Sequence, residues 1–428
     1  MKLTEVKDQI RSSLLRRRST EKGFTKQVAL TEIKRVLKGS RLGLTPEQLD
    51  TVAFELIDDI YGFGPLQRLL DDPQVSEIMV NGPYSIFVEI EGIQHEARHA
   101  FDNELHLMEV LNRLVRRTNQ RLDEASPTVD CVLDGIYRMN AAIAPVAVNG
   151  PLVTIRKPRS DIQQIEDLLR RGSLSQEMYQ FLWAAIRARL NIIFSGGTGS
   201  GKTTLLEVLS EYISDQERLV IIEDIPEIKI RQQNVARLCT RPPNLEGKGE
   251  ITLRSLFISS LRMRPTRIIL GEIRGPEAFE YLQSLNSGHE GSLAVMHAAS
   301  PDETCLRLEN LTRLSGLNIP ADVVRQQIAS GIDLIVQIDR YPDGSRKITS
   351  ISEVIGLDEH GQLDLQDLFH YEFKGVDQLT NRCVGHYSGC GVIPCAQTKF
   401  QQLGLVLSDE IYKVHQEAAK PPPLIPPQ

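Results

Sequence analysis

Tryptophan occurs once in 428 residues, and aromatic residues total only 5%. A surface that grips single-stranded nucleic acid by stacking its bases needs more rings than this. Cysteine is scarce too. The six, at 131, 239, 305, 383, 390 and 395, do not read as a disulfide framework, and the cytoplasm is the expected compartment. No apolar run reaches 18 residues, so no membrane-spanning helix is predicted. Residues 1–19 lack the apolar stretch of a signal peptide. Excess positive charge is also missing. Forty-nine Lys and Arg stand against 56 Asp and Glu, a net −7, which disfavours a strongly basic nucleic-acid binder.

The charge is uneven. Residues 1–41 hold 12 basic and 4 acidic side chains, a local +8 that leaves −15 for the rest. The 41% apolar and 25% charged content is that of an ordinary globular protein. The length predicts two or three domains, each able to bury its own core.

Residues 1–45 read as a basic helical extension, with Leu3, Val6, Ile10, Leu14 and then Val28, Leu30, Ile33, Val36 and Leu37 at helical spacing. Thr45-Pro46 marks the next helix start. Residues 46–156 read as a smaller α/β domain. It has helices near 46–60 and 103–118, and short strands around 77–81, 85–90 and 152–156. A polar linker follows over 157–172. From 173 to 405 near-continuous apolar strands alternate with helices: Asn191–Ser195, Arg218–Ile222, Arg267–Leu270, Ser292–Met296. Strands buried on both faces of a parallel sheet look like this. A hairpin turn is read at Pro342-Asp-Gly-Ser, and residues 406–428 are a helix and a proline-rich tail.

The strongest chemical signal is Gly196-Gly197-Thr198-Gly199-Ser200-Gly201-Lys202-Thr203, followed by Thr204. Such a loop between an apolar strand and a helix wraps backbone amides around a β-phosphate. Lys202 reaches the β/γ-phosphates and the Thr203 hydroxyl ligates Mg²⁺. ATP and Mg²⁺ are therefore the predicted ligands. Arg267-Ile-Ile-Leu-Gly271-Glu272 is an apolar strand that ends in a carboxylate placed to polarise an attacking water. Position 271 is Gly, where many P-loop enzymes have a metal-binding Asp. Leu219-Val-Ile-Ile-Glu223-Asp224 delivers two more acids. Adjacent strand residues point to opposite faces, so one of them faces the nucleotide. We take Glu223, holding Mg²⁺ through water. A further strand ends in His297, which can sense the γ-phosphate or couple to a neighbour.

Eight arginines fall between 231 and 274. Guanidinium groups stabilise a transferring phosphoryl, and Arg237, Arg241 and, from the preceding domain, Arg156 are the candidates. Two features stay open. Cys383, His386, Cys390 and Cys395 lie within 13 residues, as zinc ligands of unusual spacing or as unlinked thiols. The run Arg16-Arg17-Arg18 reads as a contact for anionic lipid or a partner, or as a solvated helix face.

On these residues the chain resembles the ATPases of the type II/type IV secretion superfamily, and within it the motors of Tad (Flp) pili. The resemblance runs from about 55 to 400. Beyond the motifs above it rests on Tyr-Gly-Phe-Gly-Pro-Leu (61–66), Val-Ser-Glu-Ile-Met-Val-Asn-Gly (75–82), Thr-Arg-Pro-Pro-Asn-Leu-Glu-Gly-Lys-Gly-Glu (240–250), Leu-Arg-Met-Arg-Pro (261–265) and Gly-Glu-Ile-Arg-Gly-Pro-Glu-Ala (271–278). In the family's terms the four motifs are Walker A, Walker B, Asp box and His box, and a Gly-Glu Walker B is usual there.

The resemblance implies a RecA-like P-loop domain with a parallel sheet, preceded by a smaller PAS-like α/β domain and a helical extension. It also implies a homohexameric cytoplasmic ring at the inner membrane, with nucleotide held between domains and arginines reaching across. ATP hydrolysis would drive an inner-membrane platform protein that extrudes pilin. Three departures stand out. Gln120 precedes Arg121 where an arginine pair is usual, Val132 stands in place of an N-domain arginine, and Ala299 ends the His box. They motivate a second reading, a nucleotide-gated scaffold that binds ATP without hydrolysing it. A nucleic-acid translocase on the same core is a third, opposed by charge and aromatic content. No nucleic-acid partner is expected, and membrane association is expected through the partner only.

Overall fold

The computed structural model describes residues 3–414 apart from 22, 41, 91, 119, 158–161, 163, 242 and 244–246. The proline-rich tail, the start of the 157–172 linker and part of the 240–250 run lie outside them. The chain divides into two compact units, 1–159 and 160–428.

The first unit opens with α1 (Leu3–Thr20), α2 (Lys26–Gly39) and α3 (Pro46–Tyr61). Thr25 caps α2 by accepting from the Val28 amide. Thr45 and Gln48 form a reciprocal capping box on α3, with Pro46 at its first position. Val6, Ile10, Leu14, Ile33 and Leu37 pack with Leu49, Leu56 and Ile60 in one cluster, the apolar stripes of three amphipathic helices. Val28 and Val36 face solvent instead, because the buried arc of α2 runs along Ala29, Ile33 and Leu37. The guanidinium of Arg17 lies 4.7 Å from the Phe24 ring centre, and that of Arg18 lies 4.6 Å from the Tyr61 ring centre. Two of the three arginines at 16–18 are thus engaged on aromatic faces of their own unit.

After α4 (Gln67–Asp71) come β1 (Val75–Asn81), β2 (Ile86–Ile90), β3 (Ile93–Glu96), α5 (Glu104–Val115), β4 (Thr128–Leu133), β5 (Tyr137–Ala142) and β6 (Leu152–Arg156). The six strands pair antiparallel in the order β3-β2-β1-β6-β5-β4. Alternate residues such as Ile78, Val80, Met139, Ala141, Val153 and Ile155 share a core with Leu107, Val110, Leu111 and Leu114 of α5.

The second unit runs through α6 (Ile165–Arg170), α7 (Gln176–Arg187), β7 (Ile192–Ser195), α8 (Lys202–Ser210), β8 (Leu219–Glu223) and β9 (Val235–Cys239). It continues with α9 (Leu253–Ser260), β10 (Arg267–Leu270), α10 (Glu277–Leu285), β11 (Leu293–Met296), α11 (Pro301–Arg313), α12 (Ala321–Gly331) and β12 (Leu334–Arg340). It closes with β13 (Arg346–Leu357), β14 (Leu363–Val376), β15 (Cys383–Gly389) and α13 (Gln397–Gln402). These nine strands form one sheet, ordered β15-β14-β13-β12-β7-β11-β10-β8-β9.

From β12 to β9 the pairing is parallel, and from β12 outward to β15 it is antiparallel. The parallel sheet expected from the sequence is therefore the core of a mixed one. Every residue of β7, β8, β10 and β11 is buried. Their side chains alternate between two cores. Ile192, Phe194, Ile221 and Ile269 pack with α7 and α8, whereas Ile193, Val220, Ile222 and Ile268 pack with α9 to α12. Helices on both faces explain the unbroken apolar runs.

Candidate active site

The glycine-rich loop, 196–201, leaves the C-terminal end of β7 and enters α8 at Lys202. Gly196 cannot be replaced there. Its φ is +150°, and a Cβ on it would lie 2.1 Å from the Ile338 carbonyl oxygen. The loop has to run this close to β12, because β12 is the neighbour of β7, with Gln337 level with Ser195. Its amides and the first-turn N–H groups of α8 form a cradle for an anion.

Lys202 is buried and folds over its own loop. Its Nζ donates to the carbonyls of Gly196 at 2.9 Å and Gly197 at 2.7 Å. It also lies 3.4 Å from His297 Nδ1. With the ammonium donating, Nδ1 is the acceptor and the proton of the neutral ring sits on Nε2. That Nε2 faces Glu272 Oε1 at 3.6 Å. The sheet order explains the line of three. The P-loop follows β7, His297 follows β11 and Glu272 follows β10, and these strands are consecutive neighbours. Residues 95 and 70 positions from Lys202 in sequence thus meet at one end of the sheet.

Glu223 ends β8, the next strand, and is buried. Its Oε1 accepts from the amides of Glu227 at 3.0 Å and Ile228 at 2.8 Å. Its Oε2 has no hydrogen-bond partner among the described residues and lies 3.8 Å from Arg237. Burial pushes its carboxyl up to about 7, against the pull of those two amides. Asp224 turns the other way and pairs with Arg274 and the Thr240 hydroxyl. The structure also explains Gly271. A Cβ there would meet Glu223 Cγ at 2.9 Å and the Ile222 oxygen at 3.4 Å, so no aspartate fits.

The arginines separate into roles. Arg267 is fully buried in a two-point pair with Glu217, Arg254 pairs with Glu280, and Arg231 pairs with Glu211. Arg237 stands on β9 beside Glu223 and donates to the Ile228 carbonyl. Arg241 closes its own loop, with Nε donating to the Gly249 oxygen at 2.9 Å. Arg156 ends β6 in the first unit, level with Glu77 and Arg138, and is exposed. Val132 is half-buried on β4.

The cysteine-rich segment does not converge. His386 pairs with Glu372 at 3.2 Å, Cys390 faces His370 at 3.3 Å, and no metal-binding group of three forms among the described residues. Sequence reasoning missed Arg340 and Arg346, which flank the hairpin at 341–345 and approach the P-loop. Arg346 Nε donates to the Gly199 oxygen at 2.8 Å. Only the order of strands reveals that this hairpin adjoins β7.

The family described as "Type II/IV secretion system protein" matches residues 59–399. Among curated proteins, a putative conjugal transfer protein of Mycobacterium tuberculosis is 34% identical over 300 residues, covering 69% of this chain and 85% of that protein. The type IV secretion system protein VirB11 of Bartonella henselae is 31% identical over 325 residues, covering 67% and 90%. Among solved structures, the VirB11 ATPase from the Brucella suis type IV secretion system, crystallised with sulphate, matches at 29% identity. The TM-score is 0.38, over 67% of this chain and 91% of that one.

Proposed function

The chain belongs to the type II/IV secretion system protein family, and from that premise we propose that it is a Mg²⁺-dependent ATP-hydrolysing motor. The observation that supports this best is the contiguous Lys202–His297–Glu272 line beside the glycine-rich loop. On ATP binding, the Lys202 ammonium exchanges the Gly196 and Gly197 carbonyls for β- and γ-phosphate oxygens. The amides of 197–203 and the α8 terminus hold the β-phosphate, with Thr204 behind them. Glu272 orients and polarises the attacking water, and the His297 ring links the γ-phosphate side of the loop to that carboxylate.

The residues present fit the metal. The Thr203 hydroxyl stands at the start of α8, and the orphaned, buried Glu223 Oε2 is an acceptor in want of a donor. Neighbouring strands stand about 4.8 Å apart, so three spacings put β8 roughly 14 Å from β7. Thr203 would be the direct ligand, and Glu223 is our candidate for contact through water. Bound there, Mg²⁺ would neutralise charge developing on the phosphates. Arg237, Arg241 and Arg156 remain our candidates for charge stabilisation between subunits.

We place this motor in a homohexamer at the cytoplasmic face of the inner membrane, driving a platform protein that extrudes pilin. The finer assignment to the Tad pilus branch rests on the runs at 61–66, 240–250 and 261–278. The relatives' names, conjugal transfer and type IV secretion, suit a machine that moves macromolecular cargo. A RecA-like reading of the second unit is supported by its parallel core with the P-loop strand inside it. No helix among the described residues is long and apolar enough to cross a membrane.

The test is steady-state ATP hydrolysis beside Glu272→Gln, with nucleotide binding measured on both. We expect turnover in the wild type, a fall of about 10²–10⁴-fold in the variant, and equal binding. Wild-type protein that binds ATP and never turns over, alone or with its platform partner, transfers the assignment to the nucleotide-gated scaffold. Wild-type protein that binds no nucleotide ends the motor reading.

A further inference from the structure

We propose that the β12–β13 hairpin is a clamp, built into the same chain, that holds the P-loop in its phosphate-binding shape, with Arg346 as its positioning residue. The inference rests on the ATPase reading above and adds to it a pair of arginines outside the four motifs.

The geometry starts from strand order. β12 runs parallel to β7, so Ile338 to Arg340 pass alongside the loop that leaves Ser195. Arg346, at the start of β13, donates from Nε to the Gly199 oxygen at 2.8 Å. Its Cδ lies 3.1 Å from where a Cβ of Gly201 would stand. Arg340 NH1 lies 3.2 Å from the same point on Gly199. Two guanidinium groups therefore embrace the loop from one hairpin.

A trans peptide group points its C=O and its N–H in opposite directions. A donor that draws the Gly199 oxygen outward therefore aims the Ser200 N–H inward. That N–H now makes a long 3.4 Å contact with the Gly197 oxygen, the same oxygen that accepts from Lys202. Both donors converge on the space a phosphate oxygen would take. Arg346 meets the loop at the Gly199 oxygen. It acts through the peptide plane, while the two guanidinium charges raise the local attraction for a polyphosphate.

The clamp is itself anchored. Asp343 Oδ2 at the hairpin tip accepts from the Cys383 amide of β15 at 2.7 Å. The Tyr341 ring lies 5.2 Å from Phe373 and 5.7 Å from Tyr371 on β14. The antiparallel extension of the sheet thus fixes the hairpin, and the hairpin fixes the loop.

The experiment compares full-length wild type, Arg346→Ala, Arg346→Lys and Arg340→Ala. It measures the Kd of a fluorescent ADP analogue, the KM and kcat for ATP, and the thermal midpoint. For Arg346→Ala we expect Kd and KM to rise about tenfold, the loss of one charge-assisted hydrogen bond. We expect kcat to stay within about twofold. Arg346→Lys, which keeps a cationic donor, should recover part of the affinity, and Arg340→Ala should raise Kd by less than Arg346→Ala. Unchanged Kd and KM in Arg346→Ala overturn the clamp, as does a fall in kcat at constant KM. Should Arg346→Ala fail to fold, Arg346→Lys and Arg340→Ala decide by the same split. Wild type that binds no ADP analogue defeats the ATPase reading itself, an outcome distinct from a wild type and Arg346→Ala that bind alike.

Discussion

In the first unit, Arg11, Asp59, Asp102 and His106 make a buried ionic cluster in which each charge meets its opposite. Arg11 donates to Asp59 and, at 2.7 Å, to Asp102, while His106 Nε2 lies 3.1 Å from Asp59. None of their buried side-chain atoms lacks a hydrogen-bond partner among the described residues. In the second unit, Lys202, His297, Glu272 and Glu223 stand at neighbouring strand ends, yet Lys202 rests on loop carbonyls, and Glu223 Oε2 and Ser200 Oγ are buried without a hydrogen-bond partner among the described residues. The closed cluster ties α1 and α3 to the turn before α5 and serves the fold. The open one sits at strand ends beside the glycine-rich loop, and buried polar atoms without hydrogen-bond partners there suit the ligand site we propose.

The titration follows the same division. Burial opposes the ionisation of Asp59, but His106 and Arg11 outweigh it and hold its carboxyl below the usual range. The His106 bond and the Arg11 bond do the same for Asp102. Burial also opposes charge on His106, and the two aspartates override it and hold the imidazole above its ordinary value. Glu223 has no such closed set, and burial wins.

The comparison breaks first at Arg11. Removing it takes away the guanidinium that Asp59 and Asp102 share and leaves them to His106, and Arg11→Ala should cost about 3–5 kcal/mol of stability. Urea denaturation reads this directly, and an unmoved midpoint would mean that the cluster is not closed. Lys202→Ala should do the reverse. Nucleotide affinity should fall about 100-fold, or about 2.7 kcal/mol, with the unfolding midpoint near wild type. A large loss of stability would show that the second cluster is structural too.

The smallest effect is a pH dependence. A histidine with a raised folded-state value contributes stability that is fully present below about pH 6.5 and is lost as pH rises through that raised value. The wild type should therefore lose stability above about pH 6.5, and His106→Gln should flatten that limb. Equal slopes for the two proteins from pH 6 to 9 would remove His106 from the account.

Much of the second unit was legible because its chemistry and its burial coincide in sequence. Arg267–Leu270 is buried at every position, so its apolar run predicted both the strand and its end at Gly271-Glu272. The antiparallel extension was less legible. β14 is largely exposed or half-buried and carries charges such as Asp364, Asp367 and Glu372, so no apolar run announces it. In the first unit, helical spacing found Val6, Ile10 and Leu14, but could not say which arc of α2 would face them. Neither could it tell that Arg11, three residues from Leu14, lies in the buried seam.

The sequence by itself determined the local chemistry: a loop that only glycines can close, a lysine and threonine at its end, and carboxylates and a histidine at the ends of apolar strands. These follow from short-range backbone and side-chain properties. The tertiary structure alone decided which of them meet. The order β12-β7-β11-β10-β8 brings His297 between Lys202 and Glu272, sets Glu223 against Gly271, and lays the Arg340–Arg346 hairpin on the P-loop. Strand order is a property of packing two helix layers onto one sheet, and no short stretch of residues encodes it.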